Sequence, residues 1–191
     1  SDLNGGKLTV SGGNVIIGSE TFKAKLNLDN DSKIEAAANV HIAKNSELGI
    51  KNTTSVYLNS TDEWLGTINL DGGSLDFNDI SNYDGAKLAA DFGNLNLNSG
   101  VLLIGNNSFV KNTVNSNIAA GTKLAIYDGG NVSLADNSRW KGEIILNGGD
   151  LTVNNLSVNG AVNAVKGNLN VESGILTVAD GSSIADTVKL N

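Results

Sequence analysis

Trp64-Leu65-Gly66-Thr67-Ile68-Asn69-Leu70-Asp71-Gly72-Gly73-Ser74-Leu75-Asp76-Phe77 aligns without a gap with Trp140-Lys141-Gly142-Glu143-Ile144-Ile145-Leu146-Asn147-Gly148-Gly149-Asp150-Leu151-Thr152-Val153, 76 positions later. The match extends upstream: Leu48 and Ile50 fall on Leu124 and Ile126, and Val56 and Leu58 on Val132 and Leu134. Residues 47–80 thus match 123–156. Downstream, Gly93-Asn94-Leu95-Asn96-Leu97 matches Gly167-Asn168-Leu169-Asn170-Val171 at an offset of 74, two residues having been lost between. Leu3-Asn4-Gly5-Gly6-Lys7-Leu8-Thr9-Val10 opens the chain as a partial third copy. Repeats of this kind mark architectures in which each unit buries its apolar face against the next.

Within the long unit runs a shorter rhythm. Apolar residues alternate at Leu26/Leu28, Val40/Ile42, Leu48/Ile50, Val56/Leu58, Ile68/Leu70 and Leu75/Phe77, and again at Leu124/Ile126, Val132/Leu134, Ile144/Leu146, Leu151/Val153 and Leu169/Val171. Period 2 over three to five residues is the signature of a strand with one face buried. Gly-Gly, Asp-Gly, Asn-Gly and Asn-Asn pairs separate these segments and mark turns. Ile34-Glu35-Ala36-Ala37-Ala38 is the one stretch that reads as a helical turn.

The composition agrees. Glycine occurs 23 times and asparagine 29 times in 191 residues, and both supply the left-handed backbone that tight corners need. Proline is absent, as expected where strands pair on both edges. Short strands turning every six to ten residues under a superimposed repeat suit a parallel β-helix with coils of roughly 20–25 residues. The expectation is one all-β domain over residues 1–191, a solenoid of eight or nine coils.

Charge and residue usage exclude several functions. A net charge of −7 with Arg139 as the only arginine argues against nucleic-acid binding. The absence of cysteine removes disulfides, thiol catalysis and thiolate metal sites, and is compatible with export. No apolar run approaches the ~18–20 residues of a spanning helix. With no methionine at any position, the chain is expected to be a segment of a longer product.

Gly167-Asn168-Leu169-Asn170-Val171-Glu172-Ser173-Gly174-Ile175-Leu176-Thr177-Val178, together with Leu146-Asn147-Gly148-Gly149-Asp150-Leu151-Thr152-Val153, resembles the degenerate strand pattern of bacterial autotransporter passenger domains. The resemblance covers essentially the whole chain and lies in the coil rather than in a site. It implies a right-handed parallel β-helix at the bacterial cell surface, exported through a C-terminal membrane barrel outside this segment. It also implies a surface adhesin for cell adhesion or cell–cell aggregation. The partner would be a host-cell glycan, a matrix protein or a second passenger. A polysaccharide-degrading or polysaccharide-binding β-helix, such as a lyase, hydrolase or tailspike, is the alternative.

Candidate chemistry is sparse. His41, the only histidine, alternates outward between Val40 and Ile42, and neither a nucleophile nor an orienting acid can be assigned to it. Acidic clusters stand at Asp29/Asp31, Asp62/Glu63, Asp76/Asp79 and Asp84, but the sequence pairs none of them across a sugar bond. The adjacent aspartates with nearby His-Gly and Arg-x-Lys of polygalacturonases are missing. Asp71-Gly72-Gly73-Ser74-Leu75-Asp76 lacks the third glycine and nine-residue period of a calcium-binding roll, so it reads as a turn. No enzyme, cofactor or metal is therefore expected. The ligand-binding candidates are Trp64, Trp140 and Tyr83, the first two at equivalent repeat positions and expected either to share a face or to fill the corner of a coil. Six Asn-x-Ser/Thr triplets begin at Asn30, Asn52, Asn59, Asn106, Asn131 and Asn155, and asparagine in this setting is expected to form amide ladders between coils.

Overall fold

The structure is a computed structural model that describes residues 6–78, 80–81, 86–135, 138–154, 160–173, 176 and 180–191. Among these residues there is no helix. Each alternating segment forms a strand whose outer residues face solvent and whose inner residues are buried, and each strand pairs in parallel with the strand of the next coil. Ile144 pairs with Val162 and Gly13 with Ala38, so one coil takes 18 to 25 residues. The result is a β-solenoid of about eight turns. At ~4.8 Å per turn the stack is roughly 40 Å long.

In chain order a coil visits three sides, and inward side chains stack into one ladder or more on each. The first side holds Leu28, Ile50, Leu70, Ala90, Val110, Val132, Leu151 and Leu169. A second holds Val10, Ile34, Val56, Leu75 and Leu95, with Leu58, Phe77, Leu97, Ile118 and Trp140 beside them. The third carries Ile17, Ile42 and Trp64 in the early coils and Leu102, Leu124, Ile144 and Val162 in the later ones. Nearly all of these side chains are fully buried and form one continuous core.

The ladders place the 76-residue repeat in space. Leu48 lies on the first side, yet its sequence equivalent Leu124 lies on the third; Val56 lies on the second side and its equivalent Val132 on the first. Trp64 pairs with Ile42, whereas Trp140 stands in the ladder of Leu58 and Phe77. The repeat therefore spans three coils and two further sides, and its second copy is turned by one side relative to the first. The expectation that Trp64 and Trp140 share a face is corrected by this rotation.

Corners are built from stacked left-handed residues. Asn30 (φ 52°) and Asp31 (φ 59°) are followed one coil on by Asn52 (φ 48°), then by Gly72 (φ 109°) and Gly73 (φ 59°), then by Gly93 (φ 110°). A Cβ on Gly72 would lie 2.4 Å from the Asn52 nitrogen, and one on Gly93 would lie 2.2 Å from the Gly72 carbonyl oxygen. Only glycine fits where the corner tightens. Ile34–Ala38 is not a helical turn: Lys33–Ile34 is a strand, the chain turns through Ala36 and Ala37, and Ala38 begins the next strand. The Ala38 N–H donates to the Glu35 carbonyl at 3.0 Å, which closes a single turn and no more.

Candidate functional site

Trp64 and Trp140 are each 2% exposed. The Trp64 ring stacks on Phe77 with centroids 5.7 Å apart. Each indole N–H donates to a carbonyl two residues on, Trp64 to Gly66 at 2.9 Å and Trp140 to Gly142 at 2.7 Å. These rings fill the corners of their coils and present no face to a ligand. Tyr83, Asp79 and Asp84 lie outside the described residues.

The carboxylates of Asp29, Asp62, Glu63 and Asp76 have structural partners. The Asp62 carboxylate accepts the Asn59 N–H and, one coil back, the Val40 N–H, both at 2.7 Å; burial pushes its pKa up against the pull of those two donors. Asp29 accepts from the Asn52 amide at 2.5 Å and from the Asn30 N–H at 2.7 Å, and the Asn52 bond leads in holding its pKa below the ordinary value. His41 is half-exposed, as its alternation implied, and its Nδ1 lies 2.6 Å from Glu63 on the next coil.

Asparagine stacks between coils as expected, but chiefly in mid-strand. Asn96 donates to Asp76 at 2.9 Å and to the Ser74 hydroxyl at 3.2 Å, and accepts from Asn117 at 2.7 Å. Asn115 donates to Asn94 at 3.0 Å and Asn98 to Asn78 at 3.2 Å. On this second side the outward polar groups satisfy one another. The corner asparagines at 30, 52, 106 and 107 instead take the left-handed backbone.

The first side differs. Its outward residues form rows across four coils: Lys25, Glu47, Thr67 and Lys87 in one, Asn27, Gly49, Asn69 and Ala89 in the next, and Lys51, Asp71 and Phe92 in the third. The Asn27 amide lies over Gly49, its Oδ1 2.4 Å from where a Cβ would stand, and an open groove of about 520 Å³ runs over this row. Lys25 pairs with Glu47 at 2.9 Å, and Asp91 with Lys111. Among the described residues, the side chains of Asn69 and Asp71 make no hydrogen bond or ion pair, and Lys51 has no carboxylate within 4 Å. Phe92 stands at the rim, 53% exposed, its ring set among polar groups.

Chemically, the groove offers an amide, an ammonium, a carboxylate and an apolar plate on a rigid floor. Reading the sequence for short motifs missed it, because its members are spread from Lys25 to Phe92 and meet only through coil register. The residue between each apolar pair, namely Asn27, Gly49 and Asn69, was the available signal. No cluster of His, Cys, Asp and Glu suited to a metal occurs among the described residues. Compared with family models, curated proteins and solved structures, the chain matches none.

Proposed function

We propose that this chain is a β-solenoid rod of a surface-exposed bacterial adhesin, akin to an autotransporter passenger, that binds a partner without transforming it. The observation that carries the reading is the contrast between two outer faces. One is a self-satisfied amide lattice, and the other is an open groove whose Asn69 and Asp71 are uncommitted. Stacked coils hold outward groups at a fixed ~4.8 Å repeat, which suits recognition of an extended partner by many modest contacts. A host-cell glycan, a matrix protein or a second rod would each meet such a surface, and the acidic charge would keep unspecific contacts weak.

The test is a panel of polysaccharides and matrix proteins over beads carrying the 191-residue chain, scored for retention, bead aggregation and release of shortened sugar. Retention or aggregation without release is the expected result. Release of oligosaccharide would overturn it in favour of a polysaccharide-degrading β-helix.

A further inference from the structure

The groove on the first side has an internal control in the second copy of the repeat. There, the positions of Gly49, Lys51 and Asn69 are occupied by Ala125, Tyr127 and Ile145. The fold accepts apolar side chains at every one of these places. The polar floor is therefore a property of this face and not a requirement of the coil.

We propose that this groove is a binding site for a neutral glycan chain. The assignment rests on reading the chain as a binding rod and names the partner class of that face. A pyranose ring has an apolar C–H face and a rim of hydroxyls. Phe92 supplies the plate for the first, and Asn69, Lys51 and Asp71 supply a mixed set of donors and acceptors for the second. The Asn27 amide, lying over Gly49, forms the floor between them. The charges decide the class: Lys25 pairs with Glu47 and Lys111 with Asp91, which leaves Lys51 and Asp71 and no net charge for a charged chain to meet. Uronate or sulfated chains find no excess of cations there, and a matrix protein offers no pyranose face for the exposed phenyl group. Groove and ligand are both linear, so several weak subsites add along the rod.

The experiment is calorimetric titration of the intact chain with cellohexaose, maltohexaose and chitohexaose, and with polygalacturonate and heparin as anionic probes. At least one neutral hexasaccharide is expected to bind, and the anionic polymers are not. Phe92→Ala should weaken binding about tenfold, Phe92→Tyr should restore it, and Asn69→Ile with Lys51→Tyr should abolish it. These last two install residues that the second copy already carries, so a folded far-ultraviolet spectrum is expected alongside the loss. Binding unchanged in Phe92→Ala and in the Asn69→Ile/Lys51→Tyr double variant, binding of the anionic polymers instead, or no binding by any neutral probe would overturn the site. If matrix protein or bead aggregation is still seen in that last case, the adhesin reading stands and only the groove assignment falls.

Discussion

Trp64 and Gly66 form a closed unit: the indole N–H donates to the glycine carbonyl at 2.9 Å, and a Cβ on that glycine would lie only 2.4 to 2.8 Å from the Ser46 and Ala43 carbonyls and the Ile42 side chain. Trp140 and Gly142 repeat the arrangement, with Ala119 and Thr122 as neighbours. Ring and glycine are thus two halves of one corner. Trp64→Ala should cost about 3–5 kcal/mol by emptying the core, and Gly66→Ala about 1–3 kcal/mol by overpacking against backbone. Urea unfolding followed by tryptophan fluorescence or circular dichroism measures both. These variants therefore probe stability and are unsuited to testing binding.

Ser116 and Thr54 are buried with hydroxyls that have no partner. Ser116 faces inward, opposite Leu95 in the ladder, beside an apolar void lined by Leu102, Val110, Ile118 and Leu124. Replacing an unsatisfied buried hydroxyl with the two methyl groups of valine removes its desolvation penalty and fills space. Ser116→Val should raise stability by about 1 kcal/mol, seen as a higher urea midpoint at unchanged slope. A lower midpoint would mean that the site is already fully packed.

Asn96 joins three coils, since it donates to Ser74 and Asp76 and accepts from Asn117. Asn96→Ala should cost about 1 kcal/mol, and a second change at Asn117 should then cost less than it does alone. A double-mutant cycle reads this coupling. Strict additivity would show that the amides act independently.

Glu143 accepts from the Asn163 amide at 2.6 Å and pairs with Lys123 at 3.1 Å, and these bonds, the amide first, hold its pKa below the ordinary 4.5. A carboxyl lowered by folding contributes stability that is complete above its unfolded value and is lost as pH falls through its folded value. Stability of the parent chain should therefore drop below pH ~4.5 by more than that of Glu143→Gln, the difference being about 0.5 kcal/mol at this partly exposed site. Thermal melts between pH 6 and pH 3 test it, and parallel curves for the two proteins would count against the assignment.

Much of the fold was legible because the forces that make it are local. Alternation at Leu48/Ile50, Ile68/Leu70 and Ile144/Leu146 gives strands, and the absence of proline leaves both edges free to pair. Side assignment was not legible. Coil length varies between 18 and 25 residues, so an offset of 76 does not state how many sides have been passed, and two tryptophans at equivalent repeat positions end on different ladders. Ile34–Ala38 misled for a related reason: three alanines favour a helix locally, but Ile34 is held by strand pairing to Val10 and Val56, and Ala38 by pairing to Gly13. The groove was hidden deeper still, since none of its residues is distinctive alone and they meet only through coil register.

The one-side rotation between repeat copies behaves like the pitch of a screw thread. Each further duplication of the 76-residue unit would advance along the axis and also turn its outer face by the same third of a revolution, so three copies would point in three directions before the first direction recurred. A rod that lengthens in this way gains no bias toward one flank. Outer residues that differ between copies, as Lys51 and Asn69 differ from Tyr127 and Ile145, then give each flank its own surface on a shared core.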